Sequence, residues 1–285
     1  MLASARLRPE LPDPADRVQA PLGTRELIVS AAATFGPYSS FTLADPDGPV
    51  PAAGQFYMLS CSDGWGGGVD QRPYLPRAIS VYKATSGEIS FLLEGVGPGT
   101  DRLEAAQVGD RITVLGPLGI GFEVDGGEGP NVLCAGGIGI APIAMLQESL
   151  ISAGSPQVVV LGFRDAAHAA GATLFAEPRV ATDNGELGHH GLVTELLLEE
   201  IADSQEATIF GCGPPAMLEA LRAISVEAGV TGQLALEAPM ACGYGACYGC
   251  VVKNSEGAYQ RTCVDGPVIA ASELAVDWHR PEPDQ

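Results

Sequence analysis

Four of the chain's seven cysteines stand within one glycine-rich stretch, MACGYGACYGCVVKNSEGAYQRTC, from Met240 to Cys263. No other feature limits the fold so strongly, because thiols this close are cross-linked, bound to metal or held apart by the structure around them. Compartment decides the first outcome. The N-terminus, MLASARLRPELPDPADR, lacks the apolar core of a secretion signal and mixes acids with prolines, so a cytoplasmic location is expected. Thiols are kept reduced there, which argues against a disulfide framework and for metal.

Cys242, Cys247, Cys250 and Cys263 are separated by four, two and twelve residues. That order is the plant-type arrangement in which four thiolates hold the two irons of a [2Fe-2S] cluster. Gly243, Gly245 and Gly249 would let the backbone fold round such a cluster and turn amide N–H groups toward its sulfurs. A structural zinc site also uses four cysteines, but usually as two short knuckles, whereas here three ligands share one loop and the fourth arrives alone. A cluster carries single electrons, so the rest of the chain is expected to supply a donor or an acceptor.

The chain has 285 residues, enough for more than one domain, and 46% hydrophobic against 18% charged residues describes a globular protein. Its formal charge of −20 repels phosphate backbones and anionic membranes, so neither nucleic acid nor a membrane is an expected partner. The longest uncharged run, Gly129 to Gln147, is broken by AGGIGIAP and reads as strand, loop and helix.

Three regions follow a flexible arm over 1–21. From 22 to 125, short β-branched or aromatic runs such as RELIVS, QFYMLS, AISVYK, EISFLLE and RITVLG predict a small antiparallel β-barrel, with one short helix in GPGTDRLEAA capped by Thr100. From 126 to 237, strands alternate with amphipathic segments, which predicts an α/β unit with a parallel, doubly wound sheet. The cysteine-rich segment fills 238–270, and 271–285 reads as a short acidic tail.

PRAISVY puts Arg77 at the head of a strand and Ser80 three residues later. Alone, such an arginine reads as a solvated barrel-rim residue. Gly99 and Thr100, in LEGVGPGT, offer free amides at a helix start, where a pyrophosphate would be welcome. CAGGIGIAP follows a strand and opens a helix, but Pro142 stands where a dinucleotide fingerprint has its third glycine, so a bare strand-to-helix turn competes with a nucleotide loop. FGCGPPAML ends another strand, putting Cys212, Gly213 and Pro214 on the same carboxyl edge, where ligands of such sheets bind.

Taken together, RAIS, GT, GGIGIAP, GCGPPAML and MACGYGACYGCVV resemble the electron-transfer subunits of NAD-linked dihydroorotate dehydrogenases, within the ferredoxin reductase-like flavoproteins. The likeness runs from about Leu22 to Val268, and Cys242 is its most specific point, since related reductase subunits often have aspartate there. The resemblance implies that Arg77, Ala78, Ile79 and Ser80 line FAD, with Leu93, Glu94, Gly95, Gly99 and Thr100 completing the site. It implies that Gly136, Gly137, Gly139, Pro142, Gly213 and Pro214 shape the NAD cleft. Cys212 would lie near the transferring carbon, Ser80 near the isoalloxazine, and Asp183 toward the adenosine end. Family members commonly have proline where Ala78 stands and often a basic residue where Glu94 stands; a carboxylate beside a diphosphate would have to turn away.

The resemblance also implies a partner, an FMN-containing dihydroorotate dehydrogenase catalytic subunit in a heterotetramer, and a place in pyrimidine biosynthesis. Electrons from dihydroorotate would pass through the [2Fe-2S] cluster and FAD to NAD+. Tyr244 and Tyr248 either face that partner or pack over the cluster. Two rivals remain at this point: a reductase subunit of another NAD(P)H, ferredoxin or sulfite reductase complex, and a zinc-stapled nucleotide-binding regulator. His189 and His190 read as surface residues of a turn without nearby acids, Cys61 and Cys134 as buried thiols, and LLLEE as a solvated helix face.

Overall fold

The computed structural model describes residues 23–66, 73–124, 129–202, 204 and 206–279. The expected arm over 1–21, residues 67–71 of the glycine-rich stretch SDGWGGGVDQ and the last residues of the tail lie outside them.

Six strands close a barrel: β1 Arg25–Phe35, β2 Tyr38–Ala44, β3 Phe56–Cys61, β4 Arg77–Thr85, β5 Glu88–Glu94 and β6 Arg111–Leu118. Their order is β1-β2-β5-β4-β3-β6, and every neighbouring pair is antiparallel. Period-two alternation drives the closure. Phe41 and Leu43 of β2 and Ile89 and Phe91 of β5 point into the barrel core, while Tyr38, of opposite parity, is buried outside the barrel against His168. Phe91 meets Phe41 and Tyr57 with ring centroids 5.7 and 5.5 Å apart, a spacing that favours tilted and edge-on aromatic contacts.

Helix α1, Pro98–Glu104, bridges β5 and β6. Its N-cap is Gly97, not Thr100. Thr100 lies inside the first turn, where its Oγ1 accepts from the Val96 amide (2.9 Å) and donates to the Gly97 carbonyl (3.1 Å). The proline at N1 displaces the expected cap by three positions, since its fixed φ suits the first helical residue.

The second unit is a seven-stranded sheet built from β7 Asn131–Gly136, β8 Gln157–Phe163, β9 Arg179–Thr182, β10 His189–His190, β11 Thr208–Cys212 and β12 Thr231–Ala235. Beyond β13 Val251–Lys253 and β14 Tyr259–Arg261, which form a separate hairpin, β15 Val268–Ala270 completes it. The order is β10-β9-β8-β7-β11-β12-β15, parallel throughout except for β12 with β15. Helices α2 Ile140–Ala153, α3 Val193–Ile201 and α4 Pro215–Ala228 cover it.

Strand β7 is buried along its whole length, as a central parallel strand must be. Its side chains divide between two cores. Leu133 and Ala135 join α2 and the barrel, while Val132 and Cys134 join α3, α4 and the C-terminal segment. The expected tail is packed over much of its length, since Ala271, Leu274 and Trp278 are buried in that second core. Among the described residues, no helix is long and apolar enough to cross a membrane.

Candidate functional site

The cysteine segment shows why three ligands can share a loop and a fourth stand twelve residues away. Between Cys250 and Cys263 the chain runs out along β13 and back along β14, pairing Val251 with Arg261. The turn is fixed by the Asn254 side chain, whose Oδ1 accepts from the Glu256 and Ala258 amides. The hairpin therefore returns Cys263 to Cys250, and Thr262 ties the junction by donating from both its amide and its Oγ1 to the Cys250 carbonyl at 3.1 Å.

The other two ligands lie on a loop of left-handed turns. Gly243 and Gly245 have φ of 79° and 84°, and a β-carbon on Gly243 would also strike Met58 of β3. Arg261 holds this loop to the hairpin: its guanidinium pairs with Asp265 (3.2 Å) and lies 5.1 Å over the Tyr248 ring.

The thiols contact one another in two pairs, Cys242 with Cys247 and Cys250 with Cys263. Burial opposes ionisation of Cys242, but the Tyr244, Cys247 and Ala246 amides and the Cys247 thiol outweigh it and bring its pKa down to about 7. For Cys263, burial and then the neighbouring Cys250 thiol push the pKa up to about 12, against a bond from the Gly245 amide. The Gly249 amide donates to Cys247 Sγ at 3.4 Å. Two thiol pairs under a canopy of amides fit a two-iron cluster, where each iron takes two thiolates. Tyr244 and Tyr248 are 61% and 62% exposed, so they face outward.

Against the barrel side of these thiols, Cys250 and Cys263 pack with Phe56, Met58 and Leu118, joined at the edge by Ala78, Ala238 and Met240. Four of these, Phe56, Ala78, Ala238 and Met240, also line a cavity of about 260 Å³ between barrel and sheet. The same cavity is lined by Ile79, Ser80, Leu93, Glu94 and Thr100 from the barrel and by Pro142 and Cys212 from the sheet. Arg77 and Gly99 sit just beyond it, packed on each other. Gly95 lies against the Glu104 carboxylate.

Burial raises the Cys212 thiol well above its ordinary value, with nearby Glu237 adding to the effect and the Gly213 amide opposing it. Cys212 is thus a neutral, apolar surface for a ligand rather than a nucleophile. Glu237, also on the cavity wall, was not singled out from the sequence; it stands in LEAPMACG, just ahead of the first ligand.

A second cleft, of about 400 Å³, opens over the carboxyl edge of the sheet. Gly136, Gly137, Asp183 and Pro214 line it, together with Arg164 and His168, which the sequence reading passed over. The signal for Arg164 was its position directly after the strand QVVVLGF. The two glycine loops touch, with Gly139 against the Cys212 carbonyl and Gly213 against the Gly136 amide. They meet because β7 and β11 are adjacent while the chain leaves them in opposite directions across the sheet.

Several smaller expectations change. His189 does have an acid beside it, Glu195, because α3 begins shortly after β10 and carries Glu195 in its first turn. Cys61 is half-buried, with its Sγ 3.6 Å from the Arg102 carbonyl. Glu199 keeps the solvated position expected of it, whereas Glu200 is largely covered, and both bind Arg179 of β9.

Residues 237–275 match the iron-sulfur cluster binding domain of dihydroorotate dehydrogenase B. The chain is 37% identical over 232 residues to the dihydroorotate dehydrogenase B (NAD+) electron transfer subunit of Caldanaerobacter subterraneus subsp. tengcongensis, covering 80% of this chain and 88% of that one. Identity to the same subunit of Clostridium perfringens is 35%, over 78% and 86% of the two chains. For Geobacillus thermodenitrificans it is 38%, over 72% and 81%. Among solved structures, a chain of the NADH-dependent reduced ferredoxin-NADP oxidoreductase superposes with a TM-score of 0.73 at 24% identity, covering 90% of this chain and 91% of that one. The ferredoxin reductase of carbazole 1,9a-dioxygenase gives 0.61 at 21%, over 73% and 66%. These last two likenesses are of fold.

Proposed function

This chain belongs to the family of dihydroorotate dehydrogenase B electron-transfer subunits, and from that premise we propose how its residues serve the exchange of electrons between a dehydrogenase partner and NAD+. It is an oxidoreductase subunit of pyrimidine biosynthesis that uses FAD, a [2Fe-2S] cluster and NAD, and its partner is the FMN-containing dihydroorotate dehydrogenase catalytic subunit. Bound FAD would supply the chemistry that joins a two-electron carrier, the nicotinamide, to a one-electron carrier, the cluster.

The flavin belongs in the cavity between barrel and sheet. Ile79, Ser80 and Leu93 form its barrel wall, Pro142 and Cys212 its sheet wall, and Arg77 with the Gly99 and Thr100 amides receives the diphosphate. NAD belongs in the second cleft, where Gly136 and Gly137 would receive its diphosphate and Asp183 would stand toward its adenosine, while Gly139, buried against the Cys212 carbonyl, would shape the loop from behind. We read the sheet as doubly wound, with this cleft at the switch between β7 and β11. Cys242, Cys247, Cys250 and Cys263 hold the cluster. We also assign the protein to the cytoplasm and to a heterotetramer.

One observation supports this reading above the others: Phe56, Ala78, Ala238 and Met240 belong at once to the flavin cavity and to the apolar cluster around Cys250 and Cys263. The wall between the two cofactor sites is a single layer of side chains, which excludes water and keeps the path short. The test is reconstitution with the catalytic subunit. Dihydroorotate-dependent reduction of NAD+ is expected only in the complex, while the chain alone oxidises NADH with an artificial acceptor; a complex without dihydroorotate-dependent activity would refute the assignment.

A further inference from the structure

The nucleotide cleft has a charge problem. A dinucleotide brings two negative charges on its diphosphate, yet the chain carries a net −20, and both Asp183 and Glu94 line the cleft. Arg164 is the sole Lys or Arg among the described residues of its lining. Standing directly after β8 at the carboxyl edge of the sheet, it is 63% exposed.

That guanidinium is already held. Arg164 Nη2 donates to Glu94 Oε1 at 3.0 Å, and the same guanidinium contacts the His168 ring. Glu94 is the last residue of β5, so the pair joins barrel to sheet. It is 22% exposed and lines the flavin cavity as well as the nucleotide cleft. The carboxylate that seemed a liability beside a flavin diphosphate is turned toward the sheet. Its attraction is modest, for an ion pair with one partner mostly in water contributes little. A phosphate offers the planar guanidinium a bidentate, doubly charge-assisted contact that is stronger.

We propose that Arg164 is a dinucleotide-binding residue that exchanges Glu94 for a diphosphate oxygen of NAD(H), so that occupancy of the cleft releases an ion pair between barrel and sheet. The inference rests on the assignment of this cleft to NAD. It makes Glu94 a competitor for the cation: removing its charge strengthens nucleotide binding, the opposite of what loss of a structural strut would do.

The test is titration of the flavin-loaded protein with two probes, ADP-ribose, which has the diphosphate, and adenosine, which does not. Arg164→Ala is expected to weaken ADP-ribose on the order of tenfold while leaving adenosine unchanged, and Arg164→Lys to fall between. Glu94→Gln is expected to tighten ADP-ribose by about two- to fivefold, a gain that vanishes in Glu94→Gln/Arg164→Ala. Equal weakening by Glu94→Gln and Arg164→Ala would overturn the exchange, as would equal loss of both probes in Arg164→Ala. If the wild type bound neither probe, the NAD assignment of the cleft would fall first and the inference with it.

Discussion

Arg77 lies across Gly99, so closely that a β-carbon on the glycine would overlap the guanidinium. Its second anchor is the Leu75 carbonyl, to which Nη1 donates at 2.6 Å, and the ring of Trp65 lies 5.8 Å from its Cζ. The arginine is thereby fixed at the start of α1, beside the free amides of the first turn. Gly99→Ala should displace it and weaken FAD by about tenfold, the worth of a charge-assisted hydrogen bond. Arg77→Ala should do the same, and the double variant should lose little more. Flavin dissociation constants measure all three, and additive losses would mean that Gly99 acts on the flavin by another route.

Cys247 is the outermost of the four thiols. Cys247→Ser should cut bound iron and abolish dihydroorotate-dependent reduction of NAD+ in the complex, while NADH oxidation with a dye persists, because the flavin cavity draws none of its walls from that residue. Iron analysis and the two assays on one preparation would decide it. Unchanged activity in both assays would mean that electrons bypass the cluster.

Tyr244 presents a large, exposed ring beside Cys242. Such a residue suits the centre of a docking face, where aromatic anchors commonly contribute 2 kcal/mol or more. Tyr244→Ala should weaken association with the catalytic subunit by roughly thirtyfold. Titration of the two subunits reads this directly, and an unaltered affinity would move the docking face elsewhere.

Trp278 is buried against the second core beyond the last strand. Trp278→Ala should lower stability by roughly 3–5 kcal/mol, the usual loss for a large buried aromatic. Urea unfolding measures this, and a loss under about 1 kcal/mol would mean the segment is a loose appendage after all.

Burial raises the Glu237 carboxyl above the ordinary glutamate value, although the residue is open to the cavity and the penalty is correspondingly small. A carboxyl raised on folding costs stability once pH exceeds its folded pKa and costs nothing below its unfolded one, where both states are protonated. Glu237→Gln should therefore be more stable than wild type at about pH 7, with the gap closing toward about pH 4. Unfolding curves at the two pH values test the sign, and a gap of equal size at both would assign the effect to packing.

The sequence made local relations legible and hid long-range ones. The barrel and its Arg77–Ser80 strand announce themselves through alternation of neighbouring residues, and the cofactor set through the spacing of cysteines within one segment. Glu237 carries no such local mark, and Arg164 only its place directly after β8. Each gains meaning only when β12 lies beside β11, or when β5 of the barrel meets the end of β8. Thr100 shows the limit at short range, since one proline ahead of it moved the helix start. Glu200 is more covered than a solvated face implies, because exposure depends on what packs opposite, and Arg179 comes from a strand that periodicity alone does not bring near it.

Ala235 pairs with Val268, so residues 236–267 leave the sheet and return to it at adjacent strands. The iron-bearing segment is clasped at its base, and tied at Lys253 and Ser255 to the C-terminal segment, by backbone hydrogen bonds that involve no sulfur. The sheet and barrel can thus reach their final arrangement before any metal is delivered, and stripping iron from the finished protein should leave the clasp shut. Maturation of the cluster becomes a late, local event at the rim of a molecule that has already taken shape.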